Sequence, residues 1–272
     1  MRLKRWMAAL VLGLACATGF ATGDTGADFA STAERIRGGA GEQRLILLGE
    51  THATREIPDL IEILVTAYAA EGAVLLGLEM PRSEHAATSR YLDSDGGSAA
   101  RALLRATPFW TITGDQHDGR RSEDMLDLIE ALRALRSDGR DVAILPYDVD
   151  RSFHRVNGDS RDQAMAERVR AAYAALPRGR LLVLSGNIHT MLQKPLWAPA
   201  QMPVPMGAHL HDLQPYSVRI DARSGHRWEC VNGGCGTHPV MAPPEISEPP
   251  YHLQVLLPSF TIARLLGATS TR

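Results

Sequence analysis

Residues that can do acid–base or ligand chemistry follow each of four apolar runs in the sequence. The runs cover residues 44–48, 73–78, 141–145 and 180–184, and the residues after them are Glu50 and His52, Glu79, Tyr147 and Asp148, and Asn187 and His189. If the runs are strands of one parallel sheet, their carboxyl ends meet at the edge where such sheets bind ligands. A strand buried on both faces has no ordinary reason to end in a carboxylate or an imidazole. The pattern therefore predicts one shared functional site.

The residue types indicate two kinds of chemistry. Histidine beside carboxylates suits general acid–base catalysis, because its pKa lies near neutrality. In a hydrolase, His52 would activate water with help from Glu50 or Glu79, while His189 and Asn187 would stabilise the oxyanion. The reaction would proceed with or without a divalent metal, for which imidazole and carboxylate are suitable ligands. The predicted metal ligands are His52, Glu50, Glu79 and His189.

Each of these residues also has a purely structural explanation. Glu50 could hydrogen-bond the start of the next helix, and His52 could be a solvated loop histidine. Glu79 could pair with a nearby arginine, and His189 could be a half-buried histidine with its hydrogen bonds satisfied. All four explanations would have to hold together, so the sequence favours a shared site.

Several functional classes are excluded by what the sequence lacks. No serine lies in a Gly-x-Ser-x-Gly turn and no cysteine follows a predicted strand, which argues against a covalent nucleophile. No glycine-rich phosphate loop follows the first strand, so a nucleotide cofactor is not supported. Lys and Arg total 29 against 31 Asp and Glu, for a net charge of -2. That balance excludes the basic surface of a nucleic-acid-binding protein.

The order of the predicted elements indicates an α/β fold. The first two apolar runs are separated by a helical pattern over residues 58–70, and a strand, a helix and a strand in this order form a parallel βαβ unit. Further helices are predicted over residues 83–92, 98–106, 122–136 and 161–176. Residues 216–220 and 252–257 read as edge strands. The expected fold is a mainly parallel sheet flanked by helices, with an irregular C-terminal appendage that carries a disulfide.

The N-terminal residues have the pattern of a targeting signal. Basic Arg2, Lys4 and Arg5 precede about ten apolar residues and then small residues, which predicts a signal peptide over residues 1–21. An exported, periplasmic or secreted protein is therefore expected. Anchoring through a lipid on Cys16 is less favoured, and no run reaches the length of a transmembrane span.

The remaining cysteines, Cys230 and Cys235, enclose Val-Asn-Gly-Gly. In an oxidising compartment this spacing favours a local disulfide across a tight turn. A redox pair and a metal clip with His226 and His238 are the alternatives. We expect residues 22–220 to form the α/β domain and residues 221–272 to form an appendage packed on it.

Four ordered motifs resemble those of the ChaN, TIKI and erythromycin-esterase superfamily. They are LLGETH at residues 47–52, GLEM at 77–80, RDQAMAER at 161–168 and SGNIH at 185–189. ChaN-like members are exported haem-binding proteins of iron uptake, the esterases hydrolyse a lactone with a histidine base, and TIKI members are metal-dependent proteases. The resemblance implies that His52 is the base or metal ligand, with Glu50 and Glu79 as acidic partners and His189 as a second imidazole.

The spacing within the first motif lies nearest to the ChaN-like proteins. One residue separates Glu50 from His52, whereas the esterases usually have two, and TIKI proteins have threonine in place of Glu50. Two functions lead: hydrolysis of an ester, lactone or amide in a small-molecule or peptide substrate, or haem binding without catalysis. A third interpretation is an interaction protein that retains only the fold. Haem binding needs an axial His or Tyr in an apolar cleft. The candidates are His52, His189, His117 and Tyr147, with Phe109 and Trp110 as walls. A homodimer is compatible with the sequence.

Overall fold

A computed structural model describes residues 25–112, 117–150, 158–231, 234–241 and 249–267. Its strands are β1 (Leu45–Glu50), β2 (Val74–Pro81), β3 (Val142–Asp148), β4 (Arg180–Gly186), β5 (Tyr216–Ala222), β6 (His226–Val231), β7 (Gly234–Pro239) and β8 (Leu253–Leu257). Its helices are α1 (Thr25–Ala40), α2 (Glu56–Ala69), α3 (His85–Leu92), α4 (Ser98–Arg105), α5 (Glu123–Ser137), α6 (Gly158–Ala175) and α7 (Met206–His209). Two short 3-10 helices cover Arg82–Glu84 and His211–Leu213.

Six of the strands form one parallel sheet in the order β3-β2-β4-β1-β5-β8. The predicted α/β fold class is therefore confirmed, and each of the four apolar runs is a strand of this sheet. The prediction that residues 216–220 form an edge strand is wrong, because β5 lies between β1 and β8. Val218 and Ile220 alternate with the polar Ser217 and Arg219, a pattern that is typical of a half-exposed strand.

The sheet is covered by helices on both faces. Ile46, Leu48 and Leu182 belong to the larger apolar core, together with buried residues of α1, α2 and α5. Leu47 and Val183 belong to the second core, which includes residues of α6 and α7. Successive residues of each strand thus point to opposite cores, as a sheet buried between two helical layers requires.

The helix α5 begins as its sequence predicts. The Ser122 hydroxyl accepts a hydrogen bond from the Met125 backbone N–H at 3.0 Å, which caps the first turn. Glu123 and Asp124 lie in that turn, where negative charge is favourable. The cap fixes the point at which the preceding loop, residues 117–121, enters the helix.

Strands β6 and β7 form a separate antiparallel hairpin, with Cys230 directly opposite Cys235. These two residues form the predicted disulfide. Because β8 pairs with β5, the main sheet continues beyond residue 220, and the division of the chain there stays a prediction. The predicted signal peptide lies outside the described residues. Within the described part of the chain, no helix is both long and apolar enough to cross a bilayer.

Candidate active site

Glu50 and His52 form a hydrogen-bonded pair at the carboxyl end of β1. Glu50 is the last, buried residue of the strand, and His52 lies in the turn before α2. His52 Nδ1 is 2.9 Å from Glu50 Oε1. Because a carboxylate accepts, Nδ1 carries the hydrogen of neutral His52, which leaves the Nε2 lone pair available as a base. The next residue, Ala53, has a φ of 63°, so the backbone turns sharply after the histidine.

Glu79, from β2, is buried and fully hydrogen-bonded. Its Oε2 accepts from the Ser185 hydroxyl and from the Gly186 N–H of β4, both at 2.8 Å. Its Oε1 accepts from Arg161 Nη2 at 2.7 Å and from Arg120 Nη1 at 3.2 Å. These four donors compensate the loss of hydration of a carboxylate that is only 4% exposed.

The two site histidines lie beside different carboxylate oxygens of Glu79. His52 Nε2 lies 3.8 Å from Oε2, and His189 Nε2 lies 4.0 Å from Oε1. The structure thus brings together Glu50, His52, Glu79 and His189, all of which the sequence placed at strand ends. One buried carboxylate with an imidazole on either side suits acid–base chemistry.

His189 is oriented by two residues at the start of α6. Its Nδ1 lies 2.7 Å from Asp162 Oδ1, and Asp162 is itself buried and accepts a hydrogen bond from the Met206 N–H at 2.8 Å. Arg161 Nη1 donates to His189 Nε2 at 3.0 Å. With Arg161 as donor, His189 carries its hydrogen on Nδ1, in the tautomer that also donates to Asp162.

Asp148, at the end of β3, holds two arginines against Glu79. Arg161 binds it through Nε and Nη2, both at 2.9 Å, and Arg120 donates to it through Nη1 at 2.9 Å. Arg120 also binds Asp118, with its Nη2 at 2.6 Å. Arg120 and Asp118 were missed by sequence reasoning, although three strand-end carboxylates in one place require cationic partners. Arg161 and Asp162 begin the motif at residues 161–168, but no site role was predicted for them.

These charges shift the pKa values of the site in opposite directions. Burial alone would raise the pKa of Glu79, but His189, His52, Arg120 and Arg161 together hold it well below its usual range. Burial alone would lower the pKa of His52, but Glu50 and Glu79 outweigh that effect and raise it. Glu79 is therefore a fixed negative charge, and His52 is a stronger base than a free imidazole.

Asn187 supports the turn between the two histidines. Its backbone N–H donates to the Glu50 carbonyl at 3.0 Å, and its own carbonyl accepts from the Tyr251 hydroxyl at 2.8 Å. Its side-chain Oδ1 is buried without a hydrogen-bond partner. Asn187 thus links the carboxyl end of β1 to the turn that follows β4.

Four residues predicted for haem binding are buried: His117, Tyr147, Phe109 and Trp110. The buried ring of His117 has its Nε2 2.9 Å from the Arg121 carbonyl, and its Nδ1 accepts from the Gly119 N–H at 3.1 Å. Burial, with the charge of Arg121, lowers the pKa of His117. The Tyr147 hydroxyl donates to the Leu184 carbonyl at 2.8 Å, and burial raises its pKa well above the usual value. Phe109 and Trp110 are buried in the larger core, with ring centroids 4.9 Å apart.

An open pocket of about 380 Å³ lies over the cluster. It is lined by Glu50, Thr51, His52, Asp118, Gly186, Asn187, Ile188, His189, Arg227, Trp228, Glu229 and Cys230. One wall is therefore formed by the disulfide-bonded hairpin. The opposite wall is formed by the turns after β1 and β4.

The predicted metal ligands do not have the arrangement of a metal site. Within the described residues, no group of three His, Cys, Asp or Glu side chains is placed to hold a metal ion. Both oxygens of Glu79 accept hydrogen bonds, and the two guanidinium groups of Arg120 and Arg161 lie beside it. The positive charge beside Glu79 is thus supplied by Arg120 and Arg161.

In comparisons by sequence, no family model and no curated protein matches the chain. Comparison of structures does find similar proteins. Erythromycin esterase EreC in its open conformation aligns with a TM-score of 0.56 and 13% identity, over 78% of this chain and 80% of the esterase. The chain has the fold of this esterase. The resemblance predicted from the four motifs is confirmed at the level of the fold.

Two further structures share this fold. A Bacillus cereus protein aligns with a TM-score of 0.57 and 11% identity, over 87% of this chain and 93% of its own. A succinoglycan biosynthesis protein aligns with a TM-score of 0.51 and 10% identity, over 85% and 92% of the two chains. At such identities the similarity establishes the architecture, and the chemistry must be argued from the site.

Proposed function

We propose that this protein is a hydrolase of ester, lactone or amide bonds in which His52 is the general base. The observation that carries the proposal is the geometry of His52, which lines an open pocket: its Nδ1 is held by Glu50 at 2.9 Å, and its Nε2 lies 3.8 Å from Glu79 Oε2. A fixed tautomer with one free nitrogen is what a water-activating histidine needs. The esterase fold supports the same reaction class.

In the proposed reaction, His52 Nε2 takes a proton from water as the water oxygen attacks the substrate carbonyl. Negative charge then builds on the carbonyl oxygen, and the guanidinium groups of Arg120 and Arg161 favour it electrostatically. His52, protonated by that transfer, then donates the proton from Nε2 to the leaving group. The carbonyl bond to that group breaks, and an acid and an alcohol or amine are released.

The haem hypothesis has less support from the site. Two of its four candidate ligands, His117 and Tyr147, already use their polar atoms in buried hydrogen bonds. A third, His189, receives a hydrogen bond from Arg161 on Nε2. His52 is the remaining candidate, and the charged side chains of Glu50, Asp118, Arg227 and Glu229 line the pocket beside it.

We also propose that the protein acts outside the cytoplasm. The basic and then apolar residues at the N-terminus support export, and the Cys230–Cys235 disulfide is of the kind that persists in oxidising compartments. Mass spectrometry of the mature protein from its host would test this proposal, which expects a chain lacking about the first 21 residues.

One pair of assays separates the two functions. The purified protein is incubated with 4-nitrophenyl acetate, a lactone and an anilide, with and without chelator, and is separately titrated with haem. We expect turnover of at least one probe, unchanged by chelator, and no shift of the Soret band. A Soret shift that a single His52→Ala change removes, with no turnover of any probe, would instead establish haem binding.

A further inference from the structure

Two large apolar side chains line the pocket. Ile188 lies on the turn after β4, and Trp228 lies on the hairpin that forms the facing wall. The other lining residues are charged, polar or small. Two apolar groups placed beside the acid–base cluster need a reason, because apolar surface left in water is unfavourable.

Ile188 is held at the tip of a tight turn. The His189 N–H donates to the Gly186 carbonyl at 2.9 Å, which closes the turn around residues 187 and 188. The Ile188 side chain is 52% exposed, although its neighbours Asn187 and His189 are partly buried. The turn thus fixes the position of an uncovered aliphatic group next to His189.

Trp228 is fixed from the other side. Its indole N–H donates to the His117 carbonyl at 2.9 Å, so the polar edge of the ring is satisfied. The residue remains partly exposed and lines the pocket. Its strand is tied to β7 by the Cys230–Cys235 disulfide, which limits the movement of the hairpin. A tryptophan anchored by its N–H presents a rigid apolar surface.

The charged side chains on the hairpin wall of the pocket are paired with each other. Arg227 and Glu229, on either side of Trp228, form an ion pair at 2.9 Å. Their charges therefore cancel at the pocket wall, and the apolar surface between them is the feature left for recognition.

We propose that Ile188 and Trp228 bind an uncharged apolar group of ring size, adjacent to the bond that is hydrolysed. This inference rests on the proposed hydrolase function and gives its substrate class: esters or lactones with a bulky apolar part, rather than short polar ones. Both residues act as specificity-determining contacts. The acid–base chemistry stays with His52, beside the fixed charge of Glu79.

Binding measured without turnover tests the inference separately from the reaction. In a His52→Ala background, the Kd of methyl 2-naphthoate is measured by calorimetry with Ile188→Ser or Trp228→Ala added. The controls are Leu196→Ser and Trp197→Ala, at exposed apolar residues that do not line the pocket. We expect the Kd to rise at least tenfold in both pocket variants and to change less than twofold in both controls.

Failure of methyl 2-naphthoate to bind, or a Kd within twofold of the background in Ile188→Ser, would overturn the inference. The Ile188 result is decisive because that exposed side chain can be replaced without disturbing the core, even if Trp228→Ala perturbs the hairpin. Hydrolysis is then assayed with His52 intact. Tenfold weaker binding in the pocket variants, with no hydrolysis of any probe by the intact protein, would support the apolar subsite and contradict the hydrolase.

Discussion

Glu79 accepts hydrogen bonds from groups on three separate parts of the chain: β4, the loop before α5, and α6. A buried carboxylate is tolerated only when such partners satisfy it. The histidines on either side are oriented in turn by Glu50 and Asp162. At the scale of single residues, the site is therefore a set of mutually dependent ion pairs and hydrogen bonds.

The change Glu50→Gln tests how the basicity and orientation of His52 depend on Glu50. Glu50 raises the pKa of His52, and a base acts only above its pKa, so the carboxylate places the acid limb of the rate profile at higher pH. Removing its charge should shift that limb of kcat/KM to lower pH. It should also lower the plateau of kcat/KM about tenfold to a hundredfold, because the tautomer of His52 with its hydrogen on Nδ1 is no longer held in place. The pH profile of ester hydrolysis measures both effects, with the exposed Glu62→Gln as control; an unmoved acid limb would refute the role of Glu50.

The change Asp148→Asn tests the contribution to stability of the ion pairs that Asp148 forms with Arg120 and Arg161. It removes the buried carboxylate that binds both Arg120 and Arg161, which should lower the free energy of unfolding by about 3 kcal/mol. Asp150→Asn is the matched control, because Asp150 pairs with the exposed Arg82 and should cost less than about 1 kcal/mol. Urea denaturation measures both. Equal losses in the two variants would contradict a structural role specific to Asp148.

The residues at strand ends were predictable, whereas their partners were not. Glu50, His52, Glu79 and His189 follow apolar runs, and parallel strands bring such ends together. Arg120 lies in an irregular segment, and the prediction of a helix from Arg161 onward did not reveal the direction of its side chain. Pairing between distant parts of the chain leaves no local pattern in one sequence.

At the scale of elements, the strands were predicted better than the surroundings. Four continuous apolar runs gave four strands, because strands buried on both faces have no polar alternation to obscure them. Helix α1 was missed, although Phe29, Ala33, Ile36 and Ala40 recur at helical spacing and are buried. Small and polar residues between these positions make the helical spacing of apolar residues hard to recognise in the sequence.

The disulfide hairpin is the element whose loss should affect binding most. Replacing Cys230 and Cys235 together by serine removes the constraint on β6, which carries Trp228. We expect the free energy of unfolding to fall by about 2 kcal/mol and KM to rise several-fold with kcat changed less than twofold. Steady-state kinetics on a bulky ester measures the split. A fall in kcat at unchanged KM would show that the hairpin supports the chemistry instead.

At the scale of the whole molecule, the buried carboxylate makes stability depend on pH. The folded-state pKa of Glu79 is held well below its ordinary 4.5, so its contribution is present above about pH 4.5 and is lost as the pH falls toward the folded value. Each unit of pH in that range should cost up to about 1.4 kcal/mol.

Glu79→Gln should therefore flatten the dependence of unfolding free energy on pH between about pH 4.5 and 3. Denaturation at a series of pH values measures the slope of the unfolding free energy against pH. This slope does not depend on the loss of stability that the substitution causes equally at every pH. Glu42→Gln, at a fully exposed residue, should leave the slope unchanged. A slope in Glu79→Gln equal to that of the unmodified protein would assign the acid sensitivity to other carboxylates.

The most direct measurement is kcat/KM for ester hydrolysis in His52→Ala, with circular dichroism to show that the fold is intact. General-base catalysis contributes up to about 10⁴-fold, so a loss of about a thousandfold is expected. His211→Ala, at an exposed histidine far from His52 in the sequence, should retain full activity. A folded His52→Ala protein that hydrolyses the ester within threefold of the unmodified rate would contradict the assignment of His52 as the base.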